Sequence, residues 1–458
     1  MKRYSVILLL CFIIALASTA QQTPPSGGVQ KDFKLPPIKT FTLDNGLKVT
    51  LVPFGKIPKA TVNLVVRSGN LNEAENEVWL SDFTGLLMKE GTTSRTGQKI
   101  ADEAAAMGGT LVVSTGMETT SVSGDVLSEF TPSMAALIAD VAMNPVFPES
   151  EVSRIKNDML RDLSIQKSQP SNIAFELFAR VLYPAHPYGR LFPDPATIET
   201  FGSGKAKAFY NENFGALRSH LFVAGVFDAS AVEKAVRDAF NGWQKGKEPL
   251  INIPQATSKG MIYFVNRPGA PQSVLNIGMP VSDPSSDDYI PLVLTNSLLG
   301  GSFTSRITLN IREDKGYTYS PYSRITSRYR SAFWMQFAEV ETSVTGPSLK
   351  EIMYEIHRMS EEPVSSGELR GIKNYLGGRF VMANSTNAGI ISQLAFLDLH
   401  GLDISWLNNY ISKIQKVSAE DVQAIMKKYF SPDKLTIVIA GDEGKVENGV
   451  KAYGKIAD

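Results

Sequence analysis

Cysteine is almost missing: the 458-residue chain has one, Cys11. It lies in an apolar run, Val6 to Leu16, preceded by Lys2 and Arg3 and followed by the small residues Ser18-Thr19-Ala20. A basic start, a short apolar stretch and small residues at its end form the pattern of a secretory signal peptide, with cleavage expected after Ala20. The run is too short to span a bilayer comfortably. Leu10 precedes Cys11 and apolar residues follow it, which is not the setting of a lipid-attachment cysteine. After Ala20 there is no thiol, so disulfides and thiolate metal sites are excluded there. Export without disulfides points to a bacterial periplasm. Histidine is nearly as scarce. The four are His186, His220, His357 and His400, and no two lie four residues apart. Long apolar runs are missing beyond the leader, so no later membrane span is expected. A surplus of charge is missing too: 46 basic residues face 46 acidic ones, or 44 face 46 once Lys2 and Arg3 are removed. That balance argues against nucleic acid as a partner.

Hydrophobic residues make up 43% of the chain, ample material for a core, and the length suggests two or more domains. Residues 21–39, rich in Pro, Gly and Gln, read as a flexible spacer. Asn45-Gly46 between alternating apolar runs is a hairpin signal. Beyond it the chain repeats itself. The strand pattern Val62, Leu64, Val66 returns at Val274 with an offset of 212, and Leu86-Leu87 returns at Leu298-Leu299 with the same offset. Thr93-Ser94-Arg95 matches Thr304-Ser305-Arg306, and Ile155-Lys156-Asn157 matches Ile372-Lys373-Asn374. Phe214 to Gly225 and Phe430 to Gly441 close the two halves alike, 216 residues apart. Collinear matches at nearly constant offset mark an internal duplication. The expected class is α+β, with two homologous domains in tandem, residues 40–245 and 258–458, joined by a linker at 246–257. Each domain is expected to be a mostly antiparallel sheet with helices packed on one face.

Several motifs carry a resemblance. They are Leu43-Asp44-Asn45-Gly46-Leu47, Lys89-Glu90-Gly91-Thr92, His186-Pro187-Tyr188-Gly189-Arg190, Arg267-Pro268-Gly269, Leu299-Gly300-Gly301-Ser302-Phe303 and Arg312 to Ser320. In this order and spacing the chain resembles the M16 (insulinase, pitrilysin, mitochondrial processing peptidase) superfamily of two-domain peptidases. The resemblance implies an M16/LuxS-like metalloprotease fold and peptide hydrolysis. Active members carry His-x-x-Glu-His on a helix of the first domain, which puts two imidazoles on one helix face with a general base between them. A later Glu completes the zinc ligands.

This chain lacks that set. Lys89-Glu90-Gly91-Thr92 sets the register, so Asp82 stands for the first His, Gly85 for the Glu and Leu86 for the second His, and Asp162 falls near the distal Glu. Leucine cannot bind a metal and glycine cannot accept a proton. Asp82 reads as a solvated residue on an apolar-faced helix, in preference to a weak cation site with Asp162. Gly85 reads as a close-packing glycine. His186 reads as a turn or packing residue, His220 and His357 as structural, and Gly300-Gly301-Ser302 as a flexible turn beside a substrate chamber. Arg312 and Tyr319 match an Arg/Tyr pair that, in this family's bacterial and mitochondrial branch, reaches from the C-terminal domain towards substrate. Some members are heterodimers in which one chain has zinc and the other has this pair. The resemblance therefore implies a subunit without zinc, inactive alone, that binds peptide through Arg312 and Tyr319 and serves an M16 homologue bearing zinc. The alternative is a non-enzymatic peptide-binding clamp or scaffold of the cell envelope.

Overall fold

Residues 33–457 are described by the computed structural model. The leader at 1–20 and most of the spacer lie outside them. The first strands are β1 (Lys39–Thr42) and β2 (Lys48–Pro53), paired antiparallel across the Asn45-Gly46 turn. Gly46 adopts φ +95°, a left-handed backbone that a side chain resists. The first sheet adds β3 (Lys59–Val66), β4 (Thr110–Thr115), β5 (Thr120–Leu127) and β6 (Ser219–Gly225), in the order β1-β2-β6-β3-β5-β4. The second consists of β7 (Met261–Asn266), β8 (Gln272–Val281), β9 (Tyr322–Arg328), β10 (Ser331–Glu341), β11 (Thr436–Gly441) and β12 (Lys455–Ile456), in the order β12-β7-β11-β8-β10-β9. Counted within each half, five strands occupy the same places, and only the outermost differs. It comes from the N-terminus in one sheet and from the C-terminus in the other. Most pairs are antiparallel; β2 with β6, and β7 with β11 and β12, are parallel.

Four helices repeat as well. In the first half they are α1 (Leu80–Met88), α2 (Thr131–Met143), α3 (Glu149–Ser168) and α4 (Pro170–Leu182). Their counterparts are α5 (Tyr289–Leu299), α6 (Thr345–Glu361), α7 (Ser366–Ala383) and α8 (Asn387–His400). Each half lays helices of its own on one sheet face. The opposite face is covered by the other half: α4 packs on β8 and β11, and α8 on β3 and β6. The strands show why. Along β6, Leu221 and Val223 join the first core while Phe222 and Ala224 join the second. Along β11, Ile437 and Ile439 face their own helices while Val438 and Ala440 meet Ala174, Phe178 and Leu182 of α4. Successive side chains point to opposite faces, so an unbroken apolar run is a strand buried on both sides. Gly278 leaves room for Phe178, whose ring would lie 2.7 Å from any Cβ there.

The connections are tied down. Phe33, inside the expected spacer, packs edge-on against Phe380 at 5.0 Å, and the Leu35 amide donates to Asn408 Oδ1. That end of the spacer is docked, because its apolar side chains find apolar partners on the second half. Residues 246–257 form neither helix nor strand. The buried Arg218 guanidinium donates to the carbonyls of Lys247 and Glu248, and Thr257 donates through its amide to Leu182 and through its hydroxyl to Val181. Among the described residues no helix is long and apolar enough to cross a membrane.

Phe178→Ala removes the ring at the centre of this exchange and should cost about 3–5 kcal/mol. Denaturant unfolding, followed by fluorescence and by circular dichroism, should remain one transition for both probes. Two separated transitions in the wild-type chain would show that the halves fold independently.

Candidate functional site

The site has two parts, one on each half. On the first half, α1 carries the positions where the family motif would stand. It starts at Trp79, a non-glycine residue at φ +74°. That backbone is unfavourable for a bulky side chain. Buried Glu73 holds it by accepting from the amides of Trp79 (3.0 Å) and Ser81 (2.8 Å) and from the Ser81 hydroxyl (2.5 Å). The carboxylate therefore caps the orphan amides at the helix start. Asn70 donates to both Glu73 (3.1 Å) and Asp82 (2.6 Å). Asp82 is thus half-buried in a polar nest, not solvated as its sequence setting suggests. The preceding loop folds over the first turn of α1 and takes water away from it. Burial is the largest influence on both acids and pushes Glu73 up to about 7 and Asp82 up to about 6, with the hydrogen bonds working against the rise.

These residues do not fit a zinc ion. Leu86 is apolar, and Asp162 is exposed on α3. Gly85 sits so close to β4 that a Cβ would lie 2.6 Å from Thr115 Oγ1, as expected of a packing glycine. Among the described residues no group of three or more His, Cys, Asp or Glu could hold a metal. Two of the histidines are held by contacts within the protein. His186 Nδ1 accepts from the Tyr188 amide, and His220 touches Thr50 at 2.8 Å and Asp398 at 3.2 Å.

On the second half, Arg312 and Tyr319 do come together. Arg312 lies on a widened helical turn, Leu309–Asp314, with a π-type hydrogen-bond pattern. Such turns are rare and often lie at functional sites. Asn310 pins this turn to α6 through Glu351 (3.1 Å) and buried Glu355 (2.9 Å). Arg306, just before it, makes two 2.9 Å bonds to Glu368 of α7. The Arg312 guanidinium lies 4.3 Å from the Phe303 ring centre and 5.1 Å from that of Tyr319, with Glu313 at 3.4 Å. Tyr319 is 82% exposed, in the loop before β9. It is neither a strand residue nor buried.

Two open clefts meet at this pair. One, of about 700 Å³, includes Gln272, Glu339 and Glu341 in its lining. The other, of about 380 Å³, includes Ser302, Phe303, Tyr322 and Tyr375. Gly300 and Gly301 also border it and are tightly packed. A Cβ at Gly300 would lie 2.4 Å from Gln336 Oε1, and one at Gly301 would lie 2.4 Å from Asn296 Nδ2. This turn, expected to be flexible, is held by the buried polar groups behind it. Sequence reading missed Glu73, Asn70, Phe303 and Tyr375. Phe303 could have been found, since it lies inside a quoted motif, but the others are joined to their partners only by folding.

Glu73 and Asp82 bind protons more tightly folded than unfolded. Their stabilisation is full below about pH 4, the range of free carboxyls, and is lost as pH rises through 6 and then 7. The unfolding free energy should therefore carry a falling contribution between about pH 5 and pH 7, and Asp82→Asn should flatten it. An identical slope in wild type and variant would contradict this assignment.

The geometry can be set beside known proteins. Two family profiles match the chain: "Insulinase (Peptidase family M16)" over residues 53–195 and "Peptidase M16 inactive domain" over residues 201–376. An uncharacterised zinc protease of Bacillus subtilis, YmxG, is 22% identical over 88% of this chain and 98% of its own length. An uncharacterised zinc protease of Rickettsia bellii is 25% identical over 87% and 96%. Among solved structures, a peptidase M16 inactive domain from Pseudomonas fluorescens superposes with a TM-score of 0.81 at 25% identity, covering 88% of this chain and 98% of that one. A protease from Helicobacter pylori gives 0.82 at 18% identity, covering 89% and 100%. With both halves matched and the fold shared, and with Asp82, Gly85 and Leu86 at the positions of the zinc motif, the chain belongs to peptidase family M16.

Proposed function

We propose that this chain is the subunit without zinc of an exported metallopeptidase. It contributes substrate binding to a homologous partner that carries the inverted zinc motif and performs the hydrolysis. The observation that carries the reading is the pairing of a helix unable to hold zinc with an intact Arg312–Tyr319 pair at the meeting of two open clefts. Arg312 offers a fixed fork of donors and Tyr319 a hydroxyl, both suited to a peptide carbonyl or a developing oxyanion. The two aromatic rings beside the guanidinium restrict it before anything binds, which lowers the entropy lost on binding. Extended peptide substrate also suits an edge of the first sheet, the outer side of β4, which has no strand partner among the described residues. Strand β4, Thr-Leu-Val-Val-Ser-Thr, has no charge or proline to discourage strand addition. The signal-peptide pattern at residues 1–20 supports export.

Arg312→Ala should leave assembly with the partner intact by size-exclusion chromatography while lowering turnover of the pair about 10²–10³-fold. Tyr319→Phe should act in the same direction with a smaller effect. Unchanged turnover in both variants would count against the reading.

A further inference from the structure

Asn310 holds the widened turn to α6 with one amide nitrogen shared between two carboxylates, Glu351 and Glu355. These lie four residues apart and share a helix face with Arg358. The amide must present its nitrogen to them, because its oxygen would meet only acceptors. Asn310 Oδ1 is thereby turned away from both carboxylates, and it is buried with no hydrogen-bond partner. Glu355 is left half-used in the same way. It is 3% exposed, and its Oε1 accepts from Asn310 at 2.9 Å and from Arg358 Nη1 at 3.3 Å. Its Oε2 is buried with no partner. The Nε donor of Arg358 is likewise buried and without a hydrogen bond, since the Glu362 carboxylate stands 3.7 Å away. Buried groups left in this state are costly, the charged ones most of all.

These three residues line one open cavity of about 550 Å³ between the turn and α6. No aliphatic residue joins the lining, so the cavity does not suit an apolar occupant. Its charges balance, with Asp314, Glu351 and Glu355 against Lys315, Lys350 and Arg358. Lys315 and Lys350 are exposed and make no ion pair among the described residues. The cavity therefore offers two unused acceptors and one unused donor among its buried atoms, with two ammonium groups at its rim. A bare cation would meet those ammonium groups, and a bare anion would meet Glu355 Oε2 and Asn310 Oδ1. A molecule carrying both charges satisfies all of them.

We propose that this cavity binds a small zwitterion, with an ammonium and a carboxylate a few bonds apart, as in a free amino acid. The ammonium donates to Glu355 Oε2 and Asn310 Oδ1. The carboxylate accepts from Arg358 Nε and faces Lys315 and Lys350. Such bonds between ionised groups are the stronger kind. The site is separate from the peptide clefts: Arg312 lines those, Asn310 and Asp314 line this one, and no residue lines both. The inference goes beyond the peptide-binding reading and does not rest on it.

The test is isothermal titration calorimetry of the purified chain with three molecules of similar size. They are alanine, alaninamide, which lacks the carboxylate, and propanoate, which lacks the ammonium. Alanine should bind about tenfold more tightly than either of the others. In Glu355→Gln its advantage over propanoate should vanish. That change also loosens the hold on the turn, so a second variant, K315Q/K350Q, is altered only at exposed positions. There the affinity for alanine should fall to that for alaninamide. Alaninamide or propanoate binding the wild-type chain as tightly as alanine would overturn the assignment of a zwitterion. No binding of any of the three would overturn the site itself. Neither result bears on the peptide-binding reading, which Arg312→Ala tests.

Discussion

Everything in this molecule depends on the exchange of one helix between its halves. Helix α4 covers the back of the second sheet and α8 covers the back of the first. Without that exchange each sheet would expose an apolar face to water: Phe222 and Ala224 on one, Val274, Phe333, Val438 and Ala440 on the other. Burying a large apolar side chain contributes about 1.5–3 kcal/mol, so several such residues on each sheet outweigh the cost of ordering the connections. The described residues, 33–457, accordingly form one compact unit. The same packing bears on the site. Arg328, at the end of β9, lies 3.8 Å from Glu118 in the β4–β5 turn, and the Arg67 guanidinium lies 4.9 Å from the Tyr329 ring centre. The strand that follows Tyr319 is thereby tied to the first half.

The two parts of the site are built by opposite means. At the start of α1, polar groups satisfy one another. Glu73, Asn70, Ser81 and Asp82 bond among themselves and to the helix amides, so a region that in active relatives would meet a metal is closed around its own hydrogen bonds. On the second half the buried polar groups lie behind the site and hold it outward. Asn310 and Glu355 fix the widened turn, Arg306 and Glu368 fix its entry, and Arg312 is left facing the open clefts between two rings. One part has become structural, and the other keeps a charged group exposed.

Much of this was legible in the sequence, for physical reasons that differ by feature. The duplication was readable because strand and helix periodicities survive in both halves at nearly constant offset. The absence of the inverted zinc motif was readable because no two of the four histidines are spaced by four. The meeting of Arg312 with Tyr319 followed from a resemblance, and the structure brings them together. The exchanged helices were not legible, because Ala174, Phe178 and Leu182 have the same spacing as residues that face their own core. The continuous run Leu221-Phe222-Val223-Ala224 did hold a signal for two-sided burial. Asp82 was misjudged because burial by a loop twelve residues earlier leaves no mark on the periodicity of its own helix. The docked end of the spacer at Phe33 was hidden by the Pro- and Gly-rich composition around it.

The central claim is that this chain has no zinc of its own and acts beside a subunit that does. The most direct measurement is the zinc content of the chain purified alone, set against that of the assembly isolated from its native host through a tag on this chain. The account predicts far less than one zinc per copy in the isolated chain. In the assembly it predicts about one zinc per copy, with a homologue bearing His-x-x-Glu-His as the second subunit. Stoichiometric zinc in the isolated chain, with peptide hydrolysis sensitive to chelators, would contradict it.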